Sequence, residues 1–142
     1  MPQRVDFYLL ESNEPNDDIL LVCKLLEKAY HRGHRVFVYC KNIDEAHQLD
    51  ELLWTFKDDS FIPHNIQGEG PEPPPPIQIG FDAEPRGFND ILINLSPVKP
   101  SFSDRFKRVM EIIAADKSAK EAGRDRYRQY RAKGHTIHTH NI

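Results

Sequence analysis

The chain has only two cysteines among its 142 residues, Cys23 and Cys40, and they form no CxxC pair. Both are expected to be reduced, buried thiols without a redox role. No apolar run approaches the ~20 residues that a membrane-spanning helix needs. The first residues, Met-Pro-Gln-Arg-Val-Asp-Phe, hold no apolar signal segment. These absences predict a cytoplasmic protein with no membrane partner. Glycine is sparse, at seven. None of the seven sits in a GxGxxG dinucleotide fingerprint or a phosphate-binding GxxxxGKS or GxxxxGKT loop. A GxSxG nucleophile elbow is also missing.

What is present reads as alternating strands and helices. Apolar residues make up 39% of the chain and come in blocks, which argues against disorder throughout. A chain this long fits one domain over 1–142, able to bury roughly two-thirds of its unfolded surface. Val5 to Leu10 reads as a buried strand. Asp17 to Arg32 follows as a helix, with Ile19, Val22, Cys23, Leu26 and Tyr30 recurring at spacings of three and four. Asp17 and Asp18 suit its N-terminus, and Gly33 suits its end. Arg35 to Cys40 is a second strand. Asn42 and Glu45 then make a capping box for a helix with Ile43, Ala46, Leu49, Leu52 and Leu53 on its apolar side. Strand, helix, strand, helix at these spacings predicts a three-layer α/β fold. Its mainly parallel sheet is flanked by helices, in a Rossmann-like topology without a phosphate-binding loop. The first βα turn supports the last point. Leu10-Glu-Ser-Asn-Glu-Pro-Asn has no glycine to admit a pyrophosphate and two glutamates to repel one.

The middle is irregular, with a stiff proline-rich surface loop at residues 71–76. Ile77 to Ile79 and Asp90 to Leu95 read as strands. Ser101 or Ser103 is expected to cap a helix whose Phe102, Phe106, Val109, Met110 and Ile113 face the core. The tail from Thr136 is expected to add an edge strand or to fray. On a strand, His138 and His140 would share a side and could hold a metal, but a solvated terminus is the simpler reading. His64 could act as a general base, yet no nucleophile partner is indicated, so a structural loop histidine is preferred. No cofactor is implied.

The sharpest local signal is a basic helix over 117–133. It carries seven basic groups against two acids, while the whole chain has a net charge of −3. Lys120, Arg124, Arg128 and Arg131 fall at steps of four, four and three, along one stripe with Tyr127. Like charges one turn apart slightly destabilise a helix. Three readings stand: a solvated face balanced by an acidic body, contact with DNA phosphates, or capture of an acidic peptide. The acidic body argues against strong direct nucleic-acid binding.

Several blocks together resemble the chi subunit of bacterial DNA polymerase III. They are Phe7-Tyr8-Leu9-Leu10, Asp50-Glu51-Leu52-Leu53-Trp54, Ser60-Phe61-Ile62-Pro63-His64-Asn65, Gly68-Glu69-Gly70-Pro71, Asp90-Ile91-Leu92-Ile93-Asn94-Leu95 and Arg124-Asp125-Arg126-Tyr127-Arg128-Gln129-Tyr130-Arg131. They span nearly the whole chain in the family's order. The resemblance implies a noncatalytic adaptor that links the clamp loader to single-stranded DNA-binding protein by gripping that protein's acidic, Phe-ending tail. Matching tail-site positions are Lys120, Arg124, Tyr127, Arg128, Arg131 and Gly134. Arg124 and Arg128 are expected to meet carboxylates, with Arg126 a bystander on another side of the helix. Docking to the psi subunit, and in some relatives to a helicase, matches Trp54, Phe61, Ile62 and Pro63. Trp54 and Phe61 could equally cover the core. The rival class is a nucleotide-binding or hydrolytic enzyme on an α/β fold.

Overall fold

A computed structural model describes residues 3–142 of the chain. The described residues form one all-parallel sheet of seven strands: β1 (Arg4–Leu9), β2 (Val36–Tyr39), β3 (His64–Ile66), β4 (Ile77–Gly80), β5 (Ile91–Asn94), β6 (Arg108–Ile113) and β7 (Thr136–Asn141). Their spatial order is β3-β4-β2-β5-β6-β1-β7. Three helices flank the sheet: α1 (Asp17–His31), α2 (Ile43–Thr55) and α3 (Lys117–Ala132). The layers follow from crossover handedness. The chain runs from β1 through α1 to β2 and through α2 to β3 in one direction across the sheet. It runs from β6 through α3 to β7 in the other direction. Right-handed crossovers therefore put α1 and α2 on one face and α3 on the opposite one.

Each face has its own core. Against α1 and α2 pack Tyr8, Val36, Val38, Ile91, Ile93, Met110 and Ile112, together with Val22, Leu26, Leu49 and Leu53 of the helices. Against α3 pack Val5, Phe7, Phe37, Leu92, Val109 and Ile113, with Tyr130. A parallel strand is buried on both sides, so its sequence is apolar without alternation. Fully burying one such aliphatic side chain stabilises the fold by roughly 1.5–3 kcal/mol.

Local signals place the helix ends. Asn42 Oδ1 accepts from Glu45 N at 2.9 Å, and Glu45 Oε1 reaches back to Lys41 N at 2.9 Å. The capping box is therefore present, but its return bond falls one residue before the cap. Gly33 and Gly134 follow α1 and α3 at φ of 80° and 77°, a left-handed conformation that glycine adopts freely.

Two expectations change. The helix expected after Ser101 is a short 3-10 turn at Ser103–Arg105 followed by β6. Apolar residues at 102, 106, 109, 110 and 113 fit a helix face, but Arg108–Ile113 is a central strand that needs apolar groups on both sides. The irregular middle contains β3, a three-residue edge strand entered through Pro63, which suits a sheet edge. Of the two outcomes expected for the His-rich tail, the edge strand holds: it is β7, paired with β1 along its whole length from Arg4↔Thr136 to Leu9↔Asn141.

Candidate functional site

The inner side of α3 is fixed by a buried polar network. Glu111 projects from β6 and is fully buried. It accepts from Arg126 Nε at 2.8 Å, from Tyr130 Oη at 2.8 Å and from Asn94 Nδ2 at 3.1 Å. Arg126 also donates to the Pro97 carbonyl at 2.9 Å. Burial pushes the Glu111 carboxyl above the usual glutamate range, against the pull of Arg126, Asn94 and Tyr130. Arg126 thus lies on another side of the helix from the stripe, as expected, and that side faces inward. It is 3% exposed and balances a charge inside the protein. Gly123 sets how closely the helix approaches. A Cβ there would lie 2.8 Å from Ile113 Cδ1, so no larger residue fits without a shift.

That close approach leaves a groove beside it. Between α3 and the β1, β6 and β7 strands lies a cavity of about 390 Å³, lined by Phe7, Leu9, Leu10, Ile113, Ala114, Gly123 and Thr139. Its rim carries Lys120, Arg124 and Tyr127. The Tyr127 ring sits 5.5 Å from that of Phe7. Lys120 and Arg124 are exposed, and among the described residues neither has an acidic partner. The site thus offers an apolar floor under two free cations. Sequence reasoning found the rim and missed the floor. The floor residues come from strands far apart in the chain, and only a glycine inside a strong helix hinted at close packing.

The other tail-site candidates sit outside the cavity. Arg128 extends into solvent, with Nη1 2.8 Å from Asp125 Oδ1. Arg131 is exposed, and Gly134 forms the turn into β7.

A second surface lies at the other end of the sheet. Trp54, on the last turn of α2, is 55% exposed, and Phe61 is 63% exposed. Their rings are 5.6 Å apart. Neither covers the core. Pro63 is half-buried beside them, while Ile62, at 1% exposure, belongs to the core and holds the segment down. The His64 side chain is buried, with Nδ1 2.6 Å from the Ile62 carbonyl oxygen and Nε2 3.2 Å from Asp50 Oδ1. It ties β3 to α2 beneath Trp54, whose ring lies 4.8 Å away.

The crevice where this fold type takes nucleotides carries more acidic than basic side chains. It opens at the carboxyl ends of β1 and β6, neighbours whose chains leave toward opposite faces. Its lining sets Asp18, Glu45 and Asp116 against Lys41 and an Arg126 already paired with Glu111. The N-terminal amides of α2 and α3 are already capped: Asn42 Oδ1 accepts from Glu45 N at 2.9 Å, and Asp116 Oδ2 accepts from Ala119 N at 3.1 Å. Burial pushes the Glu45 carboxyl up. The thiols of Cys23 and Cys40 are free and buried, and burial raises Cys23 to about 12. His140 contacts Asp6 at 2.8 Å. Among the described residues, no helix is long and apolar enough to cross a membrane.

Fold and groove together define a doubly wound parallel α/β protein with a cation-rimmed apolar cleft and no phosphate-binding loop. The family model described as DNA polymerase III chi subunit, HolC, matches residues 1–138. The DNA polymerase III subunit chi of Pseudomonas aeruginosa is 34% identical over 139 residues, covering 98% of this chain and 96% of that protein. Its Escherichia coli K12 counterpart is 33% identical over 138 residues, 94% of each. The Haemophilus influenzae protein is 31% identical over 144 residues, covering 100% of this chain and 99% of its own length. The chain belongs to the DNA polymerase III chi subunit family, and so to the accessory subunits of DNA replication.

Proposed function

We propose that the chain is a noncatalytic replisome adaptor that binds the acidic, Phe-ending C-terminal tail of single-stranded DNA-binding protein and joins it to the clamp loader. The observation that carries this reading is the apolar groove with Lys120 and Arg124 at its rim, unpaired among the described residues. A terminal phenylalanine has one ring to bury and one carboxylate to neutralise, and the groove supplies both needs within one helical turn. Ring burial contributes roughly 1.5–3 kcal/mol. The carboxylate takes a charge-assisted bond from Arg124, whose planar fork suits it. Arg128, Arg131 and the turn at Gly134 line the path of the upstream acidic residues. Docking entropy holds the total near −8 kcal/mol, a micromolar affinity.

Calorimetric titration of the tail peptide tests this reading. Arg124→Ala should weaken binding by about 1–3 kcal/mol, in line with a lost charge-assisted bond. Amidating the peptide's C-terminus, or replacing its last phenylalanine by alanine, should each cost at least as much. Unchanged affinity for both peptides would sink the groove as the tail site.

The Trp54 and Phe61 patch fits the second half of an adaptor, docking to the psi subunit or a helicase. Two adjacent aromatics this exposed are unusual unless covered by a partner. Trp54→Ala should weaken psi binding by roughly 2 kcal/mol while the melting temperature stays nearly unchanged. A large drop in melting temperature with intact psi affinity would assign Trp54 to stability instead.

A further inference from the structure

On the sheet face opposite the groove, under the C-terminal end of α1, lies a second cleft of about 390 Å³. Its lining gathers Arg4, Lys28, Arg32, Arg108, His34 and His140. The sequence gives no warning of it, because the four permanent cations come from three elements and are scattered over more than a hundred positions.

Two of these cations are anchored on one carboxylate. Arg4 and Arg108 stand directly opposite each other in the β1–β6 register, an arrangement of like charges that weakens a sheet. Between them lies the Asp6 carboxylate, fully buried. Arg4 donates to it from Nε and Nη2 at 3.1 and 3.2 Å, Arg108 from Nε at 2.7 Å, and His140 Nε2 lies 2.8 Å away. Burial alone would push Asp6 up, but the bonds from Arg4, His140 and Arg108 hold it below the usual carboxylate range. One fixed carboxylate thus orients two guanidinium forks. Each keeps its Nη1 without a partner among the described residues. Tyr8, stacked on His140 at 4.7 Å, closes the wall behind them.

The remaining cations are uncompensated. Lys28 and Arg32 have no acidic partner among the described residues. His34 is taken by Asp90 at 3.0 Å. Four permanent cations face one carboxylate, leaving three positive charges in excess in a protein whose net charge is −3. A favourable interaction with the end of α1 explains Lys28 and Arg32. Asp6 accounts for the placement of the two strand arginines, but it balances only one of their two charges.

We propose that this cleft is a phosphate-binding site. Fixed guanidinium forks plus an ammonium group match the several oxygens of a phosphoryl group better than the two of a carboxylate. A phosphate can arrive as the free ion or as the backbone of single-stranded DNA, and the chemistry at the cleft is the same. The site lies apart from the tail groove, and neither depends on the other.

The test is a nuclear magnetic resonance titration of the full chain, following the backbone amides of 28–35 and the arginine Nε–H signals of Arg4 and Arg108. One arm uses inorganic phosphate and the other a short oligothymidylate. Shifts in both arms support the site and include the free ion as ligand; shifts with the oligonucleotide alone support it and assign the ligand to the nucleic-acid backbone. Arg32→Glu should lower the affinity about tenfold and flatten its dependence on salt. Arg32 is exposed and holds no buried group, so this variant folds. Arg86→Glu makes the same charge change at an exposed position outside the cleft lining and should lower affinity less than about twofold. Equal losses from the two variants, or shifts in neither arm, overturn the proposal. So does oligonucleotide binding whose shifts are confined to α3.

Discussion

On the inner side of α3, Arg126 is 3% exposed with its Nε 2.8 Å from Glu111. Two residues earlier, Arg124 stands in solvent at the rim of an apolar groove, with no acidic partner among the described residues. The same side chain is spent on the fold in one place and left over in the other. Spacing alone sorts these residues onto two sides of a helix but does not say which side faces inward. The deciding feature is β6, whose one buried acid, Glu111, claims Arg126. A basic helix on this sheet must therefore yield one arginine to the interior before any can serve a partner.

Removing Arg126 is the strongest way to break this contrast. Arg126→Ala leaves Glu111 charged and under-paired in the interior, which should cost about 3–5 kcal/mol in denaturant unfolding. The pH dependence identifies the cause. Burial already raises the Glu111 carboxyl above its ordinary value, so the folded protein takes up that proton more readily than the unfolded chain. Such a group contributes stability that is full below the ordinary glutamate pKa and lost as pH rises through the folded value. Without Arg126 the folded value climbs further. The variant's deficit should thus be largest near neutral pH and shrink on acidification. A pH-independent deficit would mean that lost packing, not the orphaned carboxylate, causes the instability.

Gly123 sharpens the contrast from the packing side. In an exposed helix, glycine to alanine is worth about 1 kcal/mol of stability. Here the new Cβ would meet Ile113 at 2.8 Å, and overpacking of this kind typically costs about 1–3 kcal/mol. Gly123→Ala should therefore be net neutral to destabilising by about 2 kcal/mol, and it should weaken tail binding by lifting α3 off the groove floor. A clear gain in stability with unchanged binding would show that the helix can move without cost.

The elements were legible in the sequence wherever one local rule decided them. Helical spacing gave α1 and α2, Asn42 announced a cap, and Gly33 and Gly134 marked helix ends. The reading failed at residues 108–113, where a strand buried on both faces mimics a helical stripe, and at β3, too short to carry a period. For the site, the cationic rim was legible because α3 is continuous. The floor was not, because Phe7, Leu9, Ile113 and Thr139 meet only once β1, β6 and β7 pair. The fate of Arg126 was hidden for the same reason: its partner lies fifteen residues away on a different element.

The smallest expected effect concerns Arg128, which shares the stripe but not the groove. The stripe taken alone predicts that Arg128 matters as much as Arg124. The structure separates them. Arg128 pairs with Asp125 at 2.8 Å, and both side chains are largely exposed, at 72% and 69%. An exposed pair of this kind is worth little, typically below about 1 kcal/mol. A peptide acid that recruits Arg128 must first displace Asp125 and then compete with water. Arg128→Ala should therefore weaken tail binding by no more than about 0.5 kcal/mol at moderate salt, against 1–3 kcal/mol for Arg124→Ala. Raising the salt concentration should remove the Arg128 contribution entirely and leave most of the loss from Arg124→Ala, whose carboxylate contact borders an apolar floor. Calorimetry on both variants at two ionic strengths measures this directly. Equal losses at both strengths would mean that the tail reads the whole stripe as one field, and the groove would then set position without setting affinity.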